Sequence, residues 1–168
     1  MKITTALIFG LLLLSCENQK EVSSLNPENW QKRAATIKAS DSLVSGTSYL
    51  SVYSQIYGKN EHRTHDLTAT ISMRNTNSDA TIYIESAMYY DTSGKLIRSY
   101  FENPIFLAPM EAVEIIIDTM KREGGSGGNF IFKWLINPAA NEPLFEAVMI
   151  SASGQQGLSF TTRGLRIE

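Results

Sequence analysis

From Tyr49 onward, apolar and polar positions alternate with a period of two. Leu50, Val52, Ser54 and Ile56 alternate with Tyr49, Ser51, Tyr53, Gln55 and Tyr57, which predicts a strand with two different faces. Gly58 to Thr64 is a polar turn, and Leu67, Ala69, Ile71 and Met73 then alternate with Thr68, Thr70, Ser72 and Arg74, a strand wet on one side. The cluster Asn75 to Asp79 is a turn signal. Beyond it Ile82, Ile84, Ser86 and Met88 alternate with Tyr83, Glu85, Ala87 and Tyr89.

Asp91 to Lys95 closes a hairpin, with Gly94 suited to a left-handed position. Leu96 to Phe101 returns as a strand. Short apolar runs follow at Ile105 to Leu107 and Val113 to Ile117, then Phe130 to Ile136, Leu144 to Ala152 and Leu158 to Thr162, with Gly, Pro or Asn between them. Only Trp30 to Ala39 has helical character, as a helix turn or an extended arm. Strands this short with turn signals this frequent predict an all-β fold, an immunoglobulin-like antiparallel β-sandwich of about seven to eight strands. It would occupy residues 46–168.

The N-terminus breaks the pattern. After Lys2, an apolar run from Ile3 to Leu14 ends in Leu13-Leu14-Ser15-Cys16. The run has the length of a signal peptide and is too short for a membrane span. The ending resembles the bacterial lipobox, in which the cysteine thiol is acylated and the leader is cut before it. Residues 1–15 are thus expected to be a lipoprotein signal peptide, with Cys16 the lipidation site. Two or three acyl chains, at about 0.8 kcal/mol per buried CH₂, anchor a protein firmly. Residues 16–45 then form the anchor, a polar tether and an N-terminal arm. Glu17 is not the aspartate that, by analogy with enteric bacteria, retains lipoproteins in the inner membrane, which points to the outer membrane. The charged residues after Cys16 also loosely resemble surface-export signals of certain Gram-negative phyla.

Composition narrows the partners. The 168 residues carry 15 Lys+Arg against 17 Asp+Glu, so no basic excess favours nucleic acid. One cysteine excludes an internal disulfide framework and a cysteine-rich zinc site. The membrane, through the anchor, is the expected partner, with an envelope protein or a glycan as the further one.

Several blocks carry a family resemblance. They are Asp66 to Thr76, Tyr89 to Leu96, Gly124 to Phe130, Asn141-Glu142-Pro143, Glu146 to Ile150 and Ser153 to Phe160. Together they resemble the domain of unknown function 3124, a family of bacterial envelope proteins, over roughly Tyr49 to Gly164. The resemblance implies an envelope location and a β-rich domain, and it brings no activity. The middle of the chain more weakly resembles the sandwich domain of water-stress and late-embryogenesis proteins. The shared features are a strand ending in Asn, a hairpin with Gly-x-Leu and a Leu-x-Pro turn.

Four features carry candidate chemistry. Gly124-Gly125-Ser126-Gly127-Gly128 matches G-x-S-x-G, but a nucleophile elbow needs a strand before the serine, a helix after it and a downstream histidine. Here a strand follows and both histidines lie upstream, so a loop between strands is the better reading. His62 and His65, with Glu61 and Asp66, have ligand chemistry but lack the helical spacing of H-E-x-x-H, and Arg63 adds a positive charge. No metal or other cofactor is therefore expected. Gln155 and Gln156, between Gly154 and Gly157, offer amides at a loop tip. If the Gly124 to Asn129 loop lies at the same end, Gln155, Gln156 and Asn129 make one ligand site, with Trp134 or Arg163 nearby. Equally, the amides lock their own turn. Tyr49, Tyr53 and Tyr57, on one strand face, could stack on a sugar or dock a protein, or simply be covered. The expected function is a non-enzymatic binding or structural module of the envelope. The alternatives are a small hydrolase or metal-dependent enzyme, and a stress-protective domain.

Overall fold

The computed structural model of the protein describes residues 27–38, 40–119, 122–151 and 157–168. Among them are one short helix, α1 (Pro27–Lys32), and twelve strands. In chain order these are β1 (Val44–Val52), β2 (Gln55–Tyr57), β3 (Thr64–Asp66), β4 (Thr68–Arg74), β5 (Ile82–Tyr90), β6 (Leu96–Ser99), β7 (Ile105–Leu107), β8 (Ala112–Ile117), β9 (Gly128–Ile136), β10 (Leu144–Ser151), β11 (Leu158–Arg163) and β12 (Leu165–Arg166). One sheet runs β12-β1-β9-β5-β6, with β7 also on β5, the other runs β11-β10-β4-β8, and β2 and β3 form a separate ribbon. Every ladder is antiparallel. The all-β sandwich is as the alternation predicts, with more and shorter strands than the seven or eight expected.

The core forms because each long strand turns alternate residues inward. Leu50 and Val52, Ile71 and Met73, Phe130, Phe132 and Trp134, and Phe145 and Met149 are all buried. Burying each such side chain fully stabilises the fold by about 1.5–3 kcal/mol. An aromatic column runs through the centre. Tyr89 stacks on Phe130 at 4.8 Å, Phe130 on Phe132 at 5.4 Å, and Phe132 on Phe145 at 4.1 Å. The last pair joins β9 of one sheet to β10 of the other.

Two departures from strict alternation shape the surfaces. The register of β5 against β9 shifts between Ile84 and Ser86. This bulge adds one residue, so the second half of the strand exchanges faces. Ala87 and Tyr89 enter the core beside Ile82 and Ile84, while Ser86 and Met88 are only half-buried. Unbroken alternation placed Ser86 and Met88 on the inner face. The predicted strand over Tyr49 to Tyr57 also divides. Buried Ser54 donates through N and Oγ to the Gly125 carbonyl at 3.3 and 3.0 Å, and its carbonyl accepts from Leu67 N at 2.9 Å. These bonds turn the chain out of β1 into the β2–β3 ribbon. The three tyrosines therefore share no face. Tyr49 points outward on β1, Tyr53 lies edge-on to Phe160 at 5.8 Å, and Tyr57 is exposed on β2.

The segment from Trp30 combines both expected forms. The Trp30 ring packs on Phe101 at 5.3 Å. The chain then extends along β7, with Ala35 N donating to Pro104 O at 2.7 Å and Phe106 N to Arg33 O at 3.0 Å. Arg33 pairs with Glu111 at 2.8 Å.

Candidate functional site

The strand register defines two ends. Val52, Tyr90, Gly128 and Ser151 lie at one, and Arg74, Ile82, Ile136 and Leu144 at the other. Ser151 pairs with Leu158 and Ser51 with Asn129, so the stems of the two candidate loops share the first end. Gln155 and Gln156 lie outside the described residues, as does Cys16.

The glycine loop is a packed turn. Residues Arg122–Gly127 form a 3-10 turn in which Gly125 has φ of 63°, a left-handed conformation that favours glycine. A Cβ on Gly124 would fall 1.7 Å from the Tyr89 hydroxyl. Thr92 Oγ1 donates to the Gly124 carbonyl at 3.0 Å. The chain passes from Ser126 directly into β9, so the strand–serine–helix order of a nucleophile elbow is not formed.

Asn129 is fully engaged in holding this turn. Its Oδ1 accepts from the Tyr49 hydroxyl at 2.5 Å, and its Nδ2 donates to Gly127 O at 3.0 Å and Asp91 O at 3.4 Å. The neighbouring hairpin is closed by Asp91, whose Oδ1 accepts from Ser93 Oγ at 2.6 Å and from Lys95 N at 2.9 Å. The Ser93 hydroxyl above all, then the Lys95 amide, hold its carboxyl below the usual range.

Trp134 does not join that loop. It is fully buried toward the opposite end, with Nε1 donating to Ser48 Oγ at 3.0 Å. Gly46 makes room for it, since a Cβ there would meet the indole at 2.2 Å. A ligand at the surface has no access to this ring, which corrects the expectation of a loop-side tryptophan. Arg163 is exposed and lies opposite Glu146, with no contact to Asn129 among the described residues. The five predicted ligand residues thus do not form one described site.

His62 and His65 are exposed on and beside the tip of the β2–β3 ribbon. His62 lies 3.4 Å from adjacent Glu61, while Asp66 accepts from Gln55 Nε2 at 2.7 Å. Among the described residues, no group of three or more His, Cys, Asp or Glu side chains is arranged to hold a metal.

Two features were not singled out by the sequence. At the second end, Asn75 is buried, and its Nδ2 donates to the carbonyls of Ala80, Leu107 and Ala108 at 2.7, 3.1 and 3.0 Å. Its Oδ1 accepts from Asn77 N and Nδ2 at 3.0 and 2.8 Å. Asn77 in turn exchanges bonds with the Asn141 backbone at 3.0 and 2.7 Å. An Asn-x-Asn pair after a strand was the available signal, but it is also an ordinary turn signature. The second feature is a cleft of about 260 Å³ where β11 crosses to β12, lined by Arg163, Arg166, Glu142, Thr76 and Leu144 among others. The Arg163-Gly164-Leu165-Arg166 spacing was its only mark.

The outer face of the larger sheet carries an apolar row. The register puts Leu165, Tyr49, Ile131 and Met88 in one row across β12, β1, β9 and β5, with Tyr90 and Leu96 beside it. Leu165 is 66% exposed and Leu96 48%. Among the described residues, no helix is long and apolar enough to cross a membrane.

No curated protein and no solved structure matches the chain. A family model does, that of a protein of unknown function (DUF3124), over residues 45–167. The match starts in β1 and ends just past β12, so the family's unit is the sandwich itself, and the chain belongs to the DUF3124 family.

Proposed function

We propose that the protein is a lipid-anchored component of the cell envelope. In this reading its sandwich is a non-enzymatic binding or structural module that faces an envelope protein or glycan, not nucleic acid. The observation that carries the reading is Leu13-Leu14-Ser15-Cys16 after a short apolar leader, followed by a polar stretch that holds a body off the lipid. Glu17 favours the outer membrane. The apolar row Leu165–Tyr49–Ile131–Met88 supports a binding role, because aromatic and aliphatic residues on an outer sheet face suit docking.

Fractionated cells expressing the protein or its Cys16→Ser variant test this. The expected outcome is native protein in the outer-membrane fraction, Cys16→Ser absent from it because the uncleaved apolar leader holds that variant back, and a partner recovered from solubilised envelopes only with the anchored form. Native protein in the soluble fraction would refute anchoring. An identical set of partners with both forms would count against the envelope role.

A further inference from the structure

We infer that the cleft at the β11–β12 crossing is a carboxylate-binding site centred on Arg163. This deepens the binding reading above and rests on it only for the ligand's source.

The geometry begins with Gly164. A Cβ there would lie 2.9 Å from Phe145 Cβ and 3.2 Å from the Phe145 carbonyl. Gly164 N donates to that carbonyl at 2.8 Å. The chain therefore presses onto β10 as it changes sheets, and it leaves Arg163 and Arg166 on the walls of the same cleft. Pro143, Leu144 and Phe145 also line it, beside the polar groups of Ser48, Thr76 and Glu142.

The two arginines differ in what they have left to offer. Arg166 is committed. It pairs with Glu142, its Nε donates to Glu168 O at 2.7 Å, and its guanidinium lies over the Trp134 ring at 5.2 Å. The Arg163 side chain has no hydrogen-bond or ion-pair partner among the described residues. Its cross-strand neighbour Glu146 faces Arg74 at 3.5 Å. The Arg63 side chain also has no partner among the described residues, but it stands on the β2–β3 ribbon and does not line this cleft.

Charge and shape select the ligand. Arg166 is matched by Glu142, whereas the Arg163 guanidinium is in no ion pair among the described residues, which suits a single added negative charge. A phosphate dianion beside Glu142 meets about twice the repulsion that a monoanion does. The planar guanidinium fork matches a carboxylate in two parallel hydrogen bonds. The ligand class is therefore a monocarboxylate on a small body. It has two sources in an envelope, the terminal carboxylate of a peptide and the carboxylate of a uronic sugar.

Nuclear magnetic resonance of the arginine Nε–Hε groups in the full chain, held in detergent micelles, tests the site. The probes are N-acetylalanine, glucuronate, inorganic phosphate and the neutral amide of N-acetylalanine. The expected result is a saturable shift of the Arg163 signal with one carboxylate, at a Kd on the order of 1 mM. Phosphate should bind at least about tenfold more weakly and the amide not at all. Whichever carboxylate binds more tightly identifies the source. Arg163→Gln should abolish saturation, followed on the Arg166 signal, and Arg163→Lys should weaken binding about tenfold by losing the fork. Far-UV circular dichroism verifies that both variants are folded. No saturable shift with either carboxylate, or equal affinity in folded Arg163→Gln, would overturn the site without touching the anchoring proposal. Tighter binding of phosphate than of either carboxylate would overturn the ligand class.

Discussion

At one end of the sandwich, Gly124 sits where any Cβ would strike the Tyr89 hydroxyl. At the other, one buried amide, that of Asn75, serves three carbonyls and two donors. Both ends must satisfy backbone groups where strands stop. The first does so with single bonds from Thr92, Ser54 and Asn129 to a glycine turn that is also packed tightly against Tyr89. The second concentrates the task in the buried amides of Asn75 and Asn77, which stand in for missing ladder bonds. The difference teaches that polar residues in a loop are not automatically available to a ligand. Asn129 and Asn75 both spend their amides on neighbouring groups.

Replacing each device tests the contrast. Asn75→Ala should have the largest effect, because it strands several buried polar groups at once, each worth about 1–3 kcal/mol when left unpaired. A loss of about 3 kcal/mol and a Tm lower by about 10 °C are expected in thermal unfolding. An effect under about 1 kcal/mol would show that water replaces the amide, and the second end would then resemble an ordinary exposed turn.

Gly124→Ala should cost about 2 kcal/mol through overpacking. Adding Tyr89→Phe should recover part of that in a double-mutant cycle, because the clash is with the hydroxyl. A purely additive cycle would mean that backbone conformation, not the Tyr89 contact, makes glycine necessary there.

A smaller effect comes from Glu111, which ties the N-terminal arm to the second end. Arg33 first, and the Ala108 amide after it, hold the Glu111 carboxyl below its ordinary 4.5. A carboxyl depressed in the folded state stabilises fully above its unfolded pKa, and that contribution fades as pH falls through the folded one. Glu111→Gln should lose about 1 kcal/mol at pH 7. The gap in urea midpoints between variant and native protein should shrink progressively below pH 4.5. A gap that stays constant to pH 3 would remove the ion pair from the account.

The smallest effect concerns Met110, which has φ of 58° in the turn before β8. Met110→Gly relieves a left-handed strain of about 1 kcal/mol, less the entropy glycine adds to the unfolded chain. A gain of a few tenths of a kcal/mol in chemical denaturation is expected.

The fold was legible wherever alternation was unbroken. Thr68 to Arg74 and Phe130 to Ile136 lie in strands that bury the apolar positions their pattern predicts, with Ser72 buried as well. It was not legible where one residue shifts the phase. The bulge after Ile84 and the turn at Ser54 depend on partners far along the chain, Lys133 and Gly125, which no local window contains. The same holds for the site residues. Trp134 was set beside the loops by spacing alone, whereas it shares the inner face of Phe130 and Phe132, and the room for its ring comes from Gly46, distant in sequence. Arg163 was likewise set near the loops by spacing, but its neighbours in the cleft include the β9–β10 loop and β12. The G-x-S-x-G glycines were legible as a loop, because the strand that follows them is evident in the sequence.

The central claim is that this sandwich is held at a membrane through Cys16. The intact mass of the protein purified from a bacterial envelope tests it most directly. The account predicts a chain that begins at Cys16 and carries the added mass of a diacylglycerol and an N-acyl group, with Cys16→Ser unmodified and still bearing residues 1–15. An unmodified native chain, or one cleaved at another position, would contradict it.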